Sequence, residues 1–435
     1  MSAPGSGPAA ATRRRPVRTV TVLGICLAVL AAAVGLGVRA LGREPTVTLL
    51  ANWTGKDEQY FRQAVIDPFE RRYHVHVDYQ GSSAESQVLS ADVEAGTPPD
   101  VVVLTGPGEL AAYADQKQLQ PIEKLVPQGD FSKSWVTPRN GHVYWFPLKA
   151  DLKSMVWYRP EVGAQQRRNA AKRPDQWCIG MGSGATSGWP GTDWIEDILL
   201  QRYGPAVYER WARGLLPWQS KQVEGAWVTW GKMVGAGGPR DLVLRALRTE
   251  YQAASELVTM DPPQCTLEHQ ASFIRNLQPW KEAHGRYEHS DRLVPGATAD
   301  NAWEVSGDLV ALLHATPQAQ ELIRHLAAAK TQRAWSAKEA GLSVNAHAQP
   351  TAGDSTPSWR RSLARTLLDP DAVHCFDASD AMPPPVRDAF AQATIDFLAD
   401  PRRLDDLLKN LDSLGSAENL SWLTSVCDRT RRRGP

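Results

Sequence analysis

The stretch Trp177-Cys178-Ile179-Gly180-Met181-Gly182-Ser183-Gly184-Ala185-Thr186-Ser187-Gly188-Trp189-Pro190-Gly191-Thr192-Asp193-Trp194-Ile195-Glu196-Asp197 decides how the chain is read. It opens as a short extended segment, then passes through small residues that leave backbone N–H groups uncovered. It enters a helix in whose first turn Pro190 fits, because a missing N–H has no intrahelical partner to lose there. Trp189 and Trp194 flank Asp193 near the helix start, so ring faces, a carboxylate and unpaired donors converge. A sugar offers the matching surface, with C–H faces that stack and hydroxyls that hydrogen-bond at the ring edge. Taken singly, each tryptophan reads equally well as a core aromatic.

Upstream, Val47 to Asn52 reads as a first strand running into Trp53-Thr54-Gly55. Phe61, Val65 and Phe69 recur every four residues on one face of a following helix, and His74 to Tyr79 alternates as a second strand. Strand, helix and strand of these lengths make a right-handed parallel unit. A second helix from about Ser86 to Ala95 leads to an apolar strand, Asp100 to Leu104, which opens into the turn Thr105-Gly106-Pro107-Gly108. Ligands of open α/β sheets bind beyond the carboxyl ends of such strands, which puts Trp53 and the Thr105 turn on one rim.

At 435 residues the chain exceeds one compact core and calls for about two domains. Residues 1–44 hold six Arg and one Glu, leaving 42 basic and 47 acidic side chains, a net charge of −5. No basic face for nucleic acid is implied. Thr19 to Val38 carries no charge and follows Arg13, Arg14, Arg15 and Arg18, which suits a membrane-spanning anchor with the N-terminus inside and the rest outside. Cleavage as a secretory signal stays open as the other reading, although Val38-Arg39-Ala40 is a poor small-x-small site. Cys26 stands near the start of the apolar run behind Ile25, so lipidation is not expected. The remaining cysteines, Cys178, Cys265, Cys375 and Cys427, are even in number and suit disulfides in an exported domain, with three pairings open.

Catalytic chemistry finds no support. His74 and His76 alternate as a metal pair would, but no third ligand stands nearby, and neither metal nor cofactor is expected. No nucleophile elbow, phosphate loop or zinc-protease motif occurs. Glu196-Asp197 and Asp405-Asp406 read as solvated helix faces. Asp377 and Asp380 are open between accepting ligand hydroxyls and capping the next helix.

These segments together resemble the family 1 extracellular solute-binding proteins, the capture subunits of carbohydrate ABC importers of the maltose and alpha-glucoside type. The resemblance runs from about residue 45 to about residue 410 and rests on the 177–197 stretch, on Ala150-Asp151-Leu152-Lys153-Ser154-Met155-Val156-Trp157-Tyr158, on Ser306-Gly307-Asp308-Leu309-Val310, and on Phe376-Asp377-Ala378-Ser379-Asp380-Ala381-Met382-Pro383. It departs at Glu161 to Asp175, which is short, basic and poor in apolar residues, and at Asn301 to Val305, where relatives carry a small, flexible run.

The resemblance implies a two-lobed α/β fold of the periplasmic-binding-protein type II, preceded here by the N-terminal transmembrane helix. Residues 1–18 would be a cytoplasmic tail and 19–38 the anchor. Residues 45–149 with 306–345 would form one lobe, and 150–305 with 346–435 the other. Hinge motion would turn near Lys149, Gly307 and Val344. The resemblance pairs Cys178 with Cys265, through the segment Asp261 to Cys265, which leaves Cys375 with Cys427. Candidate ligand contacts are Trp53, Glu58, Thr105, Gly106, Trp157, Tyr158, Trp189, Asp193, Gln270 and Asp308. The expected partners are a carbohydrate, or another polyhydroxylated solute, and a pair of ABC permease subunits. The rival expectation is a membrane-anchored sensor or assembly module on the same fold, with binding altered or lost.

Overall fold

The computed structural model describes residues 44–428 apart from 128, 133–134, 339–340 and 351–355. The expected anchor at 19–38 and the cytoplasmic tail lie outside the described residues. Among those described, no helix is long and apolar enough to cross a membrane.

The first strand, β1 (Thr46–Ala51), pairs in parallel with β2 (His76–Gly81) and with β3 (Val101–Leu104). β3 is buried along its whole length, as an apolar run in a parallel sheet should be. The connection after β1 is helical from Gly55 to Tyr73, with a π-helical stretch at Arg62–Ile66. Its apolar stripe of Phe61, Val65 and Phe69 is fully buried, as the spacing predicts. The helix Glu85–Glu94 then returns the chain to β3.

Two long strands carry the chain from one half of the molecule to the other. β4 (Trp145–Leu152) and, much later, β8 (Ala302–Leu312) lie antiparallel over most of their length. One half of β8 pairs with β3, and its other half pairs in parallel with β9 (Val373–Phe376). The register of β4 shifts between Pro147 and Lys149, where proline has no N–H for the ladder. Beyond that point a three-stranded antiparallel sheet forms from β5 (Met155–Tyr158), flanked by β6 (Glu268–His269) and β7 (Arg286–His289).

Helices dominate this second half. Trp189–Tyr203 packs against Lys221–Val234 and Pro384–Ala399, with Trp227, Trp230, Phe390 and Phe397 meeting between them. Both disulfides join the cysteines that the resemblance pairs, Cys178 with Cys265 and Cys375 with Cys427. In the short basic segment, the helix Ala164–Ala170 directs Arg167 onto Glu288 and over the Tyr158 ring.

One expectation is corrected here. Glu196 and Asp197 are not a solvated face: both are fully buried, because every residue of their helix from Pro190 to Gln201 is buried. Asp197 accepts from Gln201 Nε2 at 2.9 Å and pairs with His269 Nε2 at 2.8 Å, and His269 stacks on Trp194. Glu196 Oε2 accepts from the backbone N–H of Ala378 at 2.5 Å. Asp405 and Asp406 are exposed, as read.

Candidate ligand-binding site

Gly188 sets the start of the Trp189 helix. Its φ of +103° belongs to the left-handed region, and a Cβ there would lie 2.2 Å from the carbonyl oxygen of Ala391. The chain therefore turns sharply at Gly188 and leaves Trp189 half-buried at the helix tip. The Trp189 ring meets Tyr251 at 5.0 Å and Phe273 at 6.4 Å between centroids, and Tyr251 meets Phe273 at 6.1 Å. Neither Tyr251 nor Phe273 is fully buried, so the three rings form a partly open aromatic wall.

Local bonds hold that wall. The Tyr251 N–H donates to the Gly182 carbonyl at 2.9 Å, and the Cys178 N–H donates to Leu267 at 2.8 Å. The Cys178–Cys265 bridge thus ties the segment of small residues to the segment leading to Phe273. Ser272 Oγ, next to Phe273, donates to Asp151 at 2.7 Å.

Asp151 belongs to a second, polar group. Lys149 Nζ lies 3.4 Å from Asp151 and 3.6 Å from Asp308, and 5.9 Å from the Phe273 ring. Asp308 accepts from Asn52 Nδ2 at 3.0 Å and from Trp53 Nε1 at 3.1 Å. Burial works against the Lys149 charge, but Asp151, Asp308 and Asp57 outweigh it and raise its pKa. The lysine stem passes over Gly341, whose φ is +151° and where a Cβ would fall 2.3 Å from Lys149 Cγ, so only glycine leaves it room. This group joins the segment just after β1 with residues of β4 and β8 beside the aromatic wall.

Lys153, at the end of the same crossing, anchors a third group. Its ammonium lies 5.8 Å from the Trp189 ring, 2.9 Å from Asp193 Oδ1 and 4.0 Å from Glu304, and it is bonded to Asp377. Donor atoms of Asp193, Glu304 and Asp377 approach one another closely enough to suggest a cation site. The Lys153 ammonium is the cation they already surround. Asp377 also caps the helix Ala378–Ala381, accepting from Asp380 N–H at 2.8 Å, which meets the capping alternative.

The candidate residues fall into distinct places. Trp189 and Asp193 meet through Lys153, and Trp53 meets Asp308. Trp53 is only 4% exposed and packs on Phe61 and Trp335, so it orients Asp308 rather than offering a face. Glu58 pairs with Arg62 at 2.8 Å beside Tyr79. Thr105 is half-buried at the end of β3, and Gly106 is packed on the Asp380 carbonyl. Trp157, Tyr158 and Gln270 are buried around the small sheet, where Trp157 Nε1 donates to the Gln270 carbonyl at 2.8 Å. The sequence reading missed Lys149, Asp151, Lys153, Tyr251 and Phe273. The two lysines carried a signal, since a lysine in an apolar strand must find carboxylates when it folds inward.

Comparisons with known proteins show the family and the fold. The family model described as bacterial extracellular solute-binding protein matches residues 52–333. The osmoprotective compounds-binding protein GgtB of Synechocystis sp. is 27% identical over 398 residues, covering 84% of this chain and 91% of its own. The alpha-glucosides-binding periplasmic protein AglE of Rhizobium meliloti is 29% identical over 385 residues, covering 81% and 83%. Among solved structures, the bacterial solute receptor AcbH, described as exclusive for β-D-galactopyranose, superimposes with a TM-score of 0.69 at 14% identity, covering 86% of this chain and 98% of its own. This likeness supports the two-lobed α/β fold.

Proposed function

The chain belongs to the bacterial extracellular solute-binding protein family, and on that premise we propose that it captures a carbohydrate, an oligosaccharide or glucoside, for an ABC importer. The observation that carries this reading is the aromatic wall of Trp189, Tyr251 and Phe273 beside the Asp151–Lys149–Asp308 group. A pyranose ring lays its C–H face on the wall, and its hydroxyls reach the carboxylates and the ammonium. One stacked ring contributes about 1 kcal/mol beyond area burial, and hydrogen bonds to charged groups add about 1.5–3 kcal/mol each. No bond is made or broken, so the protein acts by binding alone.

Closure of the two halves around the ligand would present a joined surface to a pair of permease subunits. Residues 19–38 would hold the binding domain at the outer face of the membrane. That part of the reading is tested by recovering the intact N-terminal peptide from membrane fractions; a mature form beginning near residue 41 in the medium would overturn it.

The binding reading is tested by thermal shift and calorimetry of the chain against maltose, trehalose, sucrose, glucosylglycerol, galactose and chitin oligosaccharides. A ligand at about 100 times its Kd stabilises the folded state by about 2.7 kcal/mol, a readily measured shift. If no member of the panel moves the midpoint or gives heat, the proposal fails and the sensor reading takes its place.

A further inference from the structure

Beneath the Trp189 platform lies a cluster that ligand capture does not use. Lys153, Asp193, Glu196, Glu304 and Asp377 are buried, and Asp380 is half-buried beside them. The six side chains come from four places: the β4–β5 turn, the Trp189 helix, β8, and the exit from β9. Of the charged groups around them, Arg387 acts on Asp380 but is shared with two other carboxylates, Glu109 and Asp388, each at 2.9 Å, and His269 is taken up by Asp197. Tyr208 donates to the Phe376 carbonyl at 2.9 Å and sits 3.4 Å from Glu196. Neither oxygen of Glu304 accepts a hydrogen bond among the described residues.

One ammonium cannot balance four carboxylates shut away from water and a fifth, Asp380, at their edge, because each uncompensated buried charge is strongly unfavourable. Some of them must therefore hold protons. We propose that this cluster is a proton-operated brace, in which proton uptake locks the Trp189 helix onto the 377–387 segment and proton loss loosens that junction. The brace reaches both halves of the molecule. The same segment closes on the Thr105 turn, where a Cβ on Gly108 would lie 2.1 Å from the Met382 carbonyl and where Arg387 meets Glu109.

The direction follows from the individual groups. Burial, reinforced by neighbouring carboxylates, pushes Glu196, Glu304 and Asp380 well above the usual carboxylate range. Burial outweighs the Lys153 ammonium at Asp193 and pushes it to about 6. Burial also opposes the charge on Asp377, but Lys153 and the hydrogen bonds from Asp380 and Ser379 hold it below the usual range. A carboxyl whose folded pKa is raised binds more protons folded than unfolded. Its stabilising contribution is complete below the unfolded value and is lost as pH rises through the folded one. Four of the five groups act in this sense, while the contribution of Asp377 survives until pH drops below about 4. The junction should therefore tighten from alkaline pH down to mild acid.

Hydrogen exchange of the full chain, followed by mass spectrometry and corrected for intrinsic rates, tests the brace without any ligand. From about pH 8 to about pH 5, peptides covering 189–200 and 377–387 should gain about tenfold protection, the equivalent of one pKa unit. Glu304→Gln supplies a permanently neutral side chain. It should raise protection of those peptides at about pH 8 and flatten their pH dependence. Should that chain not fold, Asp380→Asn at the half-buried edge makes the same test. Protection that is flat or falls toward acid in the native chain, or a variant that keeps the full native pH dependence, overturns the proposal.

Discussion

Lys149 and Lys153 stand four residues apart on one crossing, yet they occupy opposite electrostatic situations. Lys149 faces Asp151 and Asp308 at 3.4 and 3.6 Å, beyond close hydrogen-bonding contact, in a group that opens toward the aromatic wall. Lys153 is held tightly by Asp193 and Asp377, with Glu304 at 4.0 Å, in a closed interior. The first arrangement leaves hydrogen-bonding capacity for a visitor. The second spends it within the protein. On the proposed reading the looser Lys149 group, whose side chains are 15%, 8% and 7% exposed, exchanges part of its pairing for a ligand hydroxyl, whereas the sealed one gives up its whole compensation when a partner is removed.

The sharpest way to break this comparison is to remove the sealed cation. Lys153→Met should destabilise the fold by about 3–5 kcal/mol, read from chemical denaturation, or prevent folding at neutral pH. A loss under about 1 kcal/mol, the range of an exposed pair, would erase the distinction between the two lysines.

Next in size is the Cys178–Cys265 bridge, which braces the wall beside Lys149. Cys178→Ser with Cys265→Ser should cost about 2–4 kcal/mol of stability and weaken sugar binding together with it. Non-reducing peptide mapping should recover the native bridge. Binding that survives unchanged in the destabilised variant would detach the bridge from the site.

Smaller in free energy but more selective are two substitutions at the open group. Trp189→Ala and Lys149→Met should each weaken the tightest sugar of the panel about tenfold, or about 1.4 kcal/mol, with the far-UV spectrum retained. Calorimetry decides; a variant that unfolds without a separable binding defect would return Trp189 to the role of core aromatic.

The smallest effect concerns a sealed carboxyl with no lysine at all. Glu268 accepts from Trp280 Nε1 at 2.8 Å and from Ser255 Oγ at 3.2 Å, and burial pushes it to about 8. Its contribution is complete below the unfolded carboxylate range and is lost as pH rises through about 8. Glu268→Gln should therefore remove part of the fall in melting temperature on the alkaline side. An unchanged alkaline slope would mean that Glu268 ionises within the fold at ordinary pH.

The same contrast explains what the sequence disclosed. Local pattern was enough for β1 to β3, for the Phe61–Val65–Phe69 stripe and for the helix start with Pro190 in its first turn, because each is decided by neighbours in the chain. Trp189 and Asp193 stood out for the same reason. Tyr251 and Phe273 did not, because they join the wall only through contacts from distant segments. Glu196 and Asp197 were misread for a related cause. Adjacent acids on a helix suggest a face turned to water, but this helix is enclosed on every side, and adjacent positions on such a helix both point inward. Trp157 drew attention as an aromatic at a crossing, yet its strand belongs to a small sheet whose core it fills.

The Cys375–Cys427 bridge has a bearing on survival outside the cell. It fastens the last described stretch of chain to β9, and Glu209 accepts the backbone N–H groups of Val426 and Cys427 at 3.1 and 2.6 Å. Cys427 is thereby held to the fold by a covalent link as well as by a hydrogen bond, so a proteolytic nick in the chain shortly before it would leave that residue attached to β9.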